Sequence, residues 1–93
     1  MVETTASKIE RVYDGLKLVQ LEKNKRYGDS ALYPLGIFSK VPSNEQIKCR
    51  LDDKLSRVRN SDVLRKNDTA DLVGYLVLLM ISEGWTEFED LID

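Results

Sequence analysis

The sequence of 93 residues has no histidine and a single cysteine, Cys49. Without imidazole there is no Ser–His or Cys–His nucleophile and no histidine-ligated metal. Without a second thiol there is no intrachain disulfide and no multi-cysteine metal site. Any chemistry must rest on carboxylates, lysines, arginines and tyrosines. Long apolar runs are also missing: the longest, Tyr75 to Ile81, is far too short to cross a bilayer. The opening residues, MVETTASKIER, lack an apolar run behind a basic start, so no secretory leader is expected and the expected compartment is the cytoplasm. Basic residues are absent from the last part of the chain. All 14 lie at or before Lys66, so residues 1–66 carry +5 (14 basic, nine acidic) and residues 67–93 carry −7 (seven acids, no base). Folding can therefore set a basic surface beside an acidic one, although most single charges are expected simply to face solvent.

A chain of this length implies one domain, residues 1–93, with a small core. Residues 5–26 read as a helix: Ile9, Val12, Tyr13, Leu16 and Val19 recur at spacings of three and four with no proline. Leu18 and Leu21 lie off that stripe, which points to a second covered face. Gly28 suits the C-terminal cap. Residues 27–42 form a loop or lid; they hold both prolines together with Leu32, Tyr33, Leu35, Ile37 and Phe38. So many bulky apolar residues are expected to pack onto the bundle. Residues 43–60 read as a second helix, with Ser43 to Gln46 as a capping box and Ile47, Leu51, Leu55 and Val58 as one apolar stripe.

A third helix is expected over residues 68–83, capped by Asn67 or Asp68 and closed by Gly84. A short fourth, 87–92, would be capped by Thr86. No strand pattern and no internal repeat is present. The expected architecture is an all-α bundle of three to four helices. The third helix is apolar on most of its faces, and completion by a homo-oligomer is expected.

Aspartates open the chemical question. Asp68 and Asp71 fall on one face of the third helix's first turn, where acids serve as caps and complement the helix dipole. Asp71, however, shares a face with Leu72, Tyr75 and Leu79, and a carboxylate beside buried residues requires a compensating partner. A second pair, Asp52-Asp53, lies on the preceding helix; Asp53 is turned about 200° from Leu51 and so points away from the apolar stripe. Carboxylates on neighbouring helices suit a hard cation that keeps waters and takes substrate phosphates.

Three segments occur in order: KNKRYGDS at 23–30, RLDDKLSRV at 50–58 and DTADLVGYLVLL at 68–79. Together they resemble the MazG-like all-α nucleoside triphosphate pyrophosphohydrolases, and more closely their phage-associated branch, the nucleotide modification associated domain. The resemblance spans about residues 20–80 and implies that acids of two adjacent helices hold magnesium, or manganese in its place. It also implies cleavage of a nucleoside triphosphate to monophosphate and pyrophosphate. Carried over by position, Asp53, Asp68 and Asp71 would be metal ligands, with Glu22 as an additional one unless it pairs with Arg26 at i,i+4. Lys25, Lys54 and Arg57 would meet the phosphates, and Tyr27 would stack on the base. Lys25, Lys54, Arg57 and Tyr27 also have plain readings as solvated charges, an Asp53–Arg57 pair and surface packing. Ser56 stands where the broader family's first motif has a third acid, and serine is a poor magnesium ligand.

The competing expectation is a non-catalytic interaction protein on the same scaffold, docking through EFEDLID with Trp85, Phe88, Leu91 and Ile92. Nucleic acid is not an expected ligand, because the net charge is negative and the bases are interspersed with acids.

Overall fold

A computed structural model describes residues 2–92. The first helix is started by its own side chains. Thr4 Oγ1 accepts the Ser7 N–H at 3.1 Å, and Ser7 Oγ accepts the Thr4 N–H at 3.0 Å, a reciprocal capping box. From there α1 runs Thr5–Tyr27, with Lys25 and Arg26 in its last turn, where the dipole favours positive charge. Gly28 ends it at φ +66° while donating its N–H to the Asn24 carbonyl.

The second helix, α2, is Ser43–Asn60, but the Ser43–Gln46 box does not form. Pro42 occupies the cap position at φ −55° and its carbonyl accepts the N–H groups of both Glu45 and Gln46. Ser43 is thereby already inside the helix. The Gln46 side chain turns back to donate to the Val41 carbonyl at 2.7 Å.

The third helix, α3, is Lys66–Ser82 and begins two residues before the expected start. Arg65, not Asn67 or Asp68, holds the cap position, so both of those residues lie inside the first turn. Thr69 Oγ1 donates to the Arg65 carbonyl at 2.9 Å. The helix closes as expected at Gly84. Gly84 at φ +79° donates to Ile81, and Trp85 donates to the Met80 carbonyl at 2.9 Å, the paired bonds of a Schellman turn. The helix expected over 87–92 is reduced to one 3₁₀ turn, Glu89–Leu91, preceded by Phe88 without a side-chain cap; Thr86 caps nothing. Six residues are too few to nucleate a helix without a surface to pack on.

The fold is all-helical, with no strand among the described residues. α2 and α3 are joined by residues 61–65 and pack against each other as a helical hairpin, whereas α1 meets α3 at few points and does not pack on α2. Ile47 and Leu51 are the buried apolar residues, and both belong to α2. The apolar stretch of α3 is only half-buried. On α1, Ile9, Val12, Tyr13, Leu18, Val19 and Leu21 are exposed, so the second covered face expected for Leu18 and Leu21 is not covered within the chain. The loop 28–42 likewise does not pack down. Tyr33, Leu35, Ile37 and Phe38 face solvent, and the loop's hydrogen bonds are local, such as Lys40 Nζ to the Gly36 carbonyl at 2.6 Å. The Cα radius of gyration is 15.5 Å, against about 12 Å for a compact domain of this length.

Candidate functional site

Two polar assemblies lie on the hairpin. The first is centred on Asp71, one turn into α3. Its Oδ1 accepts a hydrogen bond from Lys23 Nζ of α1 at 2.9 Å, and its Oδ2 lies 3.2 Å from Lys54 Nζ of α2. One carboxylate thus joins all three helices. Lys54 is the more enclosed of the two lysines, its side chain 15% exposed. Burial pushes the Asp71 carboxyl upward, but the hydrogen bonds and charges of Lys23 and Lys54 outweigh it and hold the group below the ordinary carboxylate range. One turn back along α1 and one turn on along α3, Gln20 Nε2 donates to the Gly74 carbonyl at 2.9 Å. Periodicity predicts that Asp71 needs a partner, and the partners are ammonium groups.

The second assembly lies at the joint between α2 and α3. Asp68 is 8% exposed and lines a cleft of about 380 Å³ with Ser56, Arg57, Asn60, Ser61 and Arg65. Its place in the first turn of α3 sets the carboxylate against the positive end of the helix dipole. No ion pair or hydrogen bond from the described residues reaches that carboxylate, and neither oxygen is sealed away from the cleft. The residues lining it are one recessed acid, two arginines, two serines and an asparagine. Such a set suits an anion that also brings a cation or a donor group for Asp68.

The structure therefore brings Arg57 and Asp68 into one cleft and Lys54 and Asp71 into one ion pair. Glu22 and Tyr27 lie elsewhere, in a shallow groove of about 390 Å³ on α1 with Leu18, Val19, Lys23 and Arg26. There Glu22 accepts from Arg26 Nε at 3.1 Å, the i,i+4 pairing. Lys25 and Asp53 are exposed. Among the described residues no three acidic or thiol side chains gather in a way that could hold a metal ion.

Asp53, Asp68, Asp71 and Glu22 thus do not form an all-protein magnesium cage within one chain. Asp71 is neutralised by lysines, Glu22 by an arginine, and Asp53 lies on the outer face of α2. Asp68 alone of the four is recessed and without an ion-pair partner among the described residues. Sequence reasoning missed Arg65, Asn60 and Ser61, which line the cleft, and Lys23, which fastens α1. The signal for Arg65 was its position just before the third helix, where it enters the inter-helix joint.

Comparisons with protein-family models, with curated proteins and with solved structures give no match to this chain.

Proposed function

We propose that this chain is a nucleotide-binding helical domain of the MazG-like kind, holding the phosphates of a nucleoside triphosphate in the cleft between α2 and α3. With magnesium, it cleaves that nucleotide to monophosphate and pyrophosphate. The observation that carries the reading is Asp68: a recessed residue, 8% exposed, whose carboxylate has no ion-pair or hydrogen-bond partner among the described residues and opens onto the same cleft as Arg57 and Arg65. A ligand that brings positive charge to Asp68 and negative charge to the arginines would match both signs of this cleft.

Phosphoryl chemistry suits such a site, because catalysis there is mostly positioning and charge neutralisation. Arg57 and Arg65 would bind phosphate oxygens through their planar donors. Ser56, Asn60 and Ser61 would orient the same group by hydrogen bonds. Magnesium arriving on the phosphates would add neutralisation and lower the pKa of bound water. A fuller acidic set would require a second copy of the chain, consistent with the outward position of Asp53 on α2.

A second reading, the non-catalytic relative, is favoured by Asp71. That carboxylate is already bound by two lysines, which leaves the fold with one free recessed acid. Calorimetric titration with a panel of canonical and modified deoxynucleoside triphosphates, with and without magnesium, separates the two readings when paired with pyrophosphate release. Magnesium-dependent binding that weakens about tenfold or more in Asp68→Asn, a loss of ~1.4 kcal/mol or more, supports the cleft. Pyrophosphate release then assigns the enzyme, and its absence assigns the relative. No binding by any member of the panel rejects both.

A further inference from the structure

The surface of this chain is larger than a compact monomer of its mass exposes. A folded monomer of 10.7 kDa exposes about 5,500 Å². This chain exposes 8182 Å², an excess of about 2,700 Å², whereas a standard interface buries roughly 800 Å² per partner. Two apolar strips on opposite parts of the chain belong to this accessible surface. On α1, Ile9, Val12 and Tyr13 are exposed. They lie within about 100° of one another on the face that, further along, carries Gln20 and Lys23 to α3. That face is left bare where α3 does not follow it. After α3, Trp85, Phe88, Leu91 and Ile92 are exposed, and their 3₁₀ turn packs on no helix of its own chain.

The charges of the two strips are opposite. Around the bare face, residues 5–17 of α1 carry Lys8, Arg11 and Lys17 against Glu10 and Asp14, with Lys8 on one edge of the face and Lys17 beside Glu10 on the other. Residues 83–92 carry Glu83, Glu87, Glu89 and Asp90 and no base. The Schellman turn at Gly84 fixes the direction in which this acidic segment leaves α3.

We propose that the acidic, aromatic segment 85–92 of one copy packs on the apolar face of α1 of a second copy, between Lys8 and Lys17, and reciprocally, to form a two-fold dimer. Because the contact is between unlike patches and occurs twice, it closes without leaving a free end. Lys8 and Lys17 would meet the acids of the segment, whereas segment on segment would oppose like charges. The pairing is independent of the nucleotide reading.

Reciprocity provides the test. Two full-length variants are made, Lys8→Glu/Lys17→Glu on α1 and Glu87→Lys/Glu89→Lys after α3, and circular dichroism verifies that each keeps its helices. Sedimentation equilibrium should find the wild-type chain at twice its monomer mass and each variant alone with a dimer dissociation constant raised at least tenfold. The 1:1 mixture should return to a wild-type-like dimer, because one contact is then wild type on both sides and the other reversed on both sides. A monomeric wild-type chain overturns the proposal. So does a dimer indifferent to both variants. Two weakened variants that do not rescue each other on mixing also overturn it, and place the segment on its own α1.

Discussion

Replacing Asp71 with asparagine would remove the one carboxylate that fastens three helices while keeping its size. Both ion-pair distances, 2.9 Å to Lys23 and 3.2 Å to Lys54, are within charge-assisted range. Lys23 is more than half exposed, so its pair is worth at most a few tenths of a kcal/mol after screening by solvent. The Lys54 contact is more enclosed and leaves an ammonium without its counter-ion when the charge is lost, so the two together are worth about 1–2 kcal/mol. For a domain of this size that is a fall in thermal midpoint of roughly 4–16 °C.

The pH dependence carries the sharper sign. Because the folded Asp71 carboxyl lies below its ordinary value, its stabilisation is fully present above the unfolded pKa, about 3.9. It is lost as pH falls through the folded one. Thermal unfolding followed by circular dichroism, at fixed protein concentration, should therefore separate wild type from Asp71→Asn at pH 7. Towards pH 3 the two should converge as Asp71 becomes protonated. A gap that persists undiminished at pH 3, or no gap at pH 7, refutes the bridging role.

Three further expectations concern stability. Ile47 is 1% exposed and lies at the centre of the hairpin core, so Ile47→Ala should cost about 2–4 kcal/mol in denaturant titration, and a loss under 1 kcal/mol would show that this core is not the stabilising one. Gly84 sits at φ +79° with open space around a would-be Cβ. Gly84→Ala should therefore cost about 1–2 kcal/mol from backbone strain alone, while Gly15→Ala inside α1, where no Cβ clash arises, should stabilise by roughly 0.5–1 kcal/mol.

Helices were legible in the sequence because their signals are local. The spacing of Ile9, Val12 and Leu16 marks α1, and Gly84 after an apolar run marks the end of α3. Caps were less legible, because a cap is decided by which neighbour takes the position first. Pro42 displaced the Ser43 box, and Arg65 took the place assigned to Asn67 or Asp68. Burial was misjudged where hydrophobicity was taken to imply a partner in the same chain: Phe38 and Leu35 are as apolar as any core residue, yet nothing covers them. Among the site residues, the need of Asp71 for a partner followed from its face on the helix. That Lys23, 48 residues away, supplies one depends on how α1 crosses α3, and no local pattern encodes that crossing.

The two ties of α1, Gln20 to Gly74 and Lys23 to Asp71, span 54 and 48 positions. During synthesis at about 5–20 residues per second, α1 would emerge several seconds before either acceptor exists. Over that interval only local interactions are open to the segment: its reciprocal Thr4–Ser7 cap, its terminal lysine and arginine, and the Glu22–Arg26 pair, so the helix with the fewest tertiary attachments is also the one that carries these local ones.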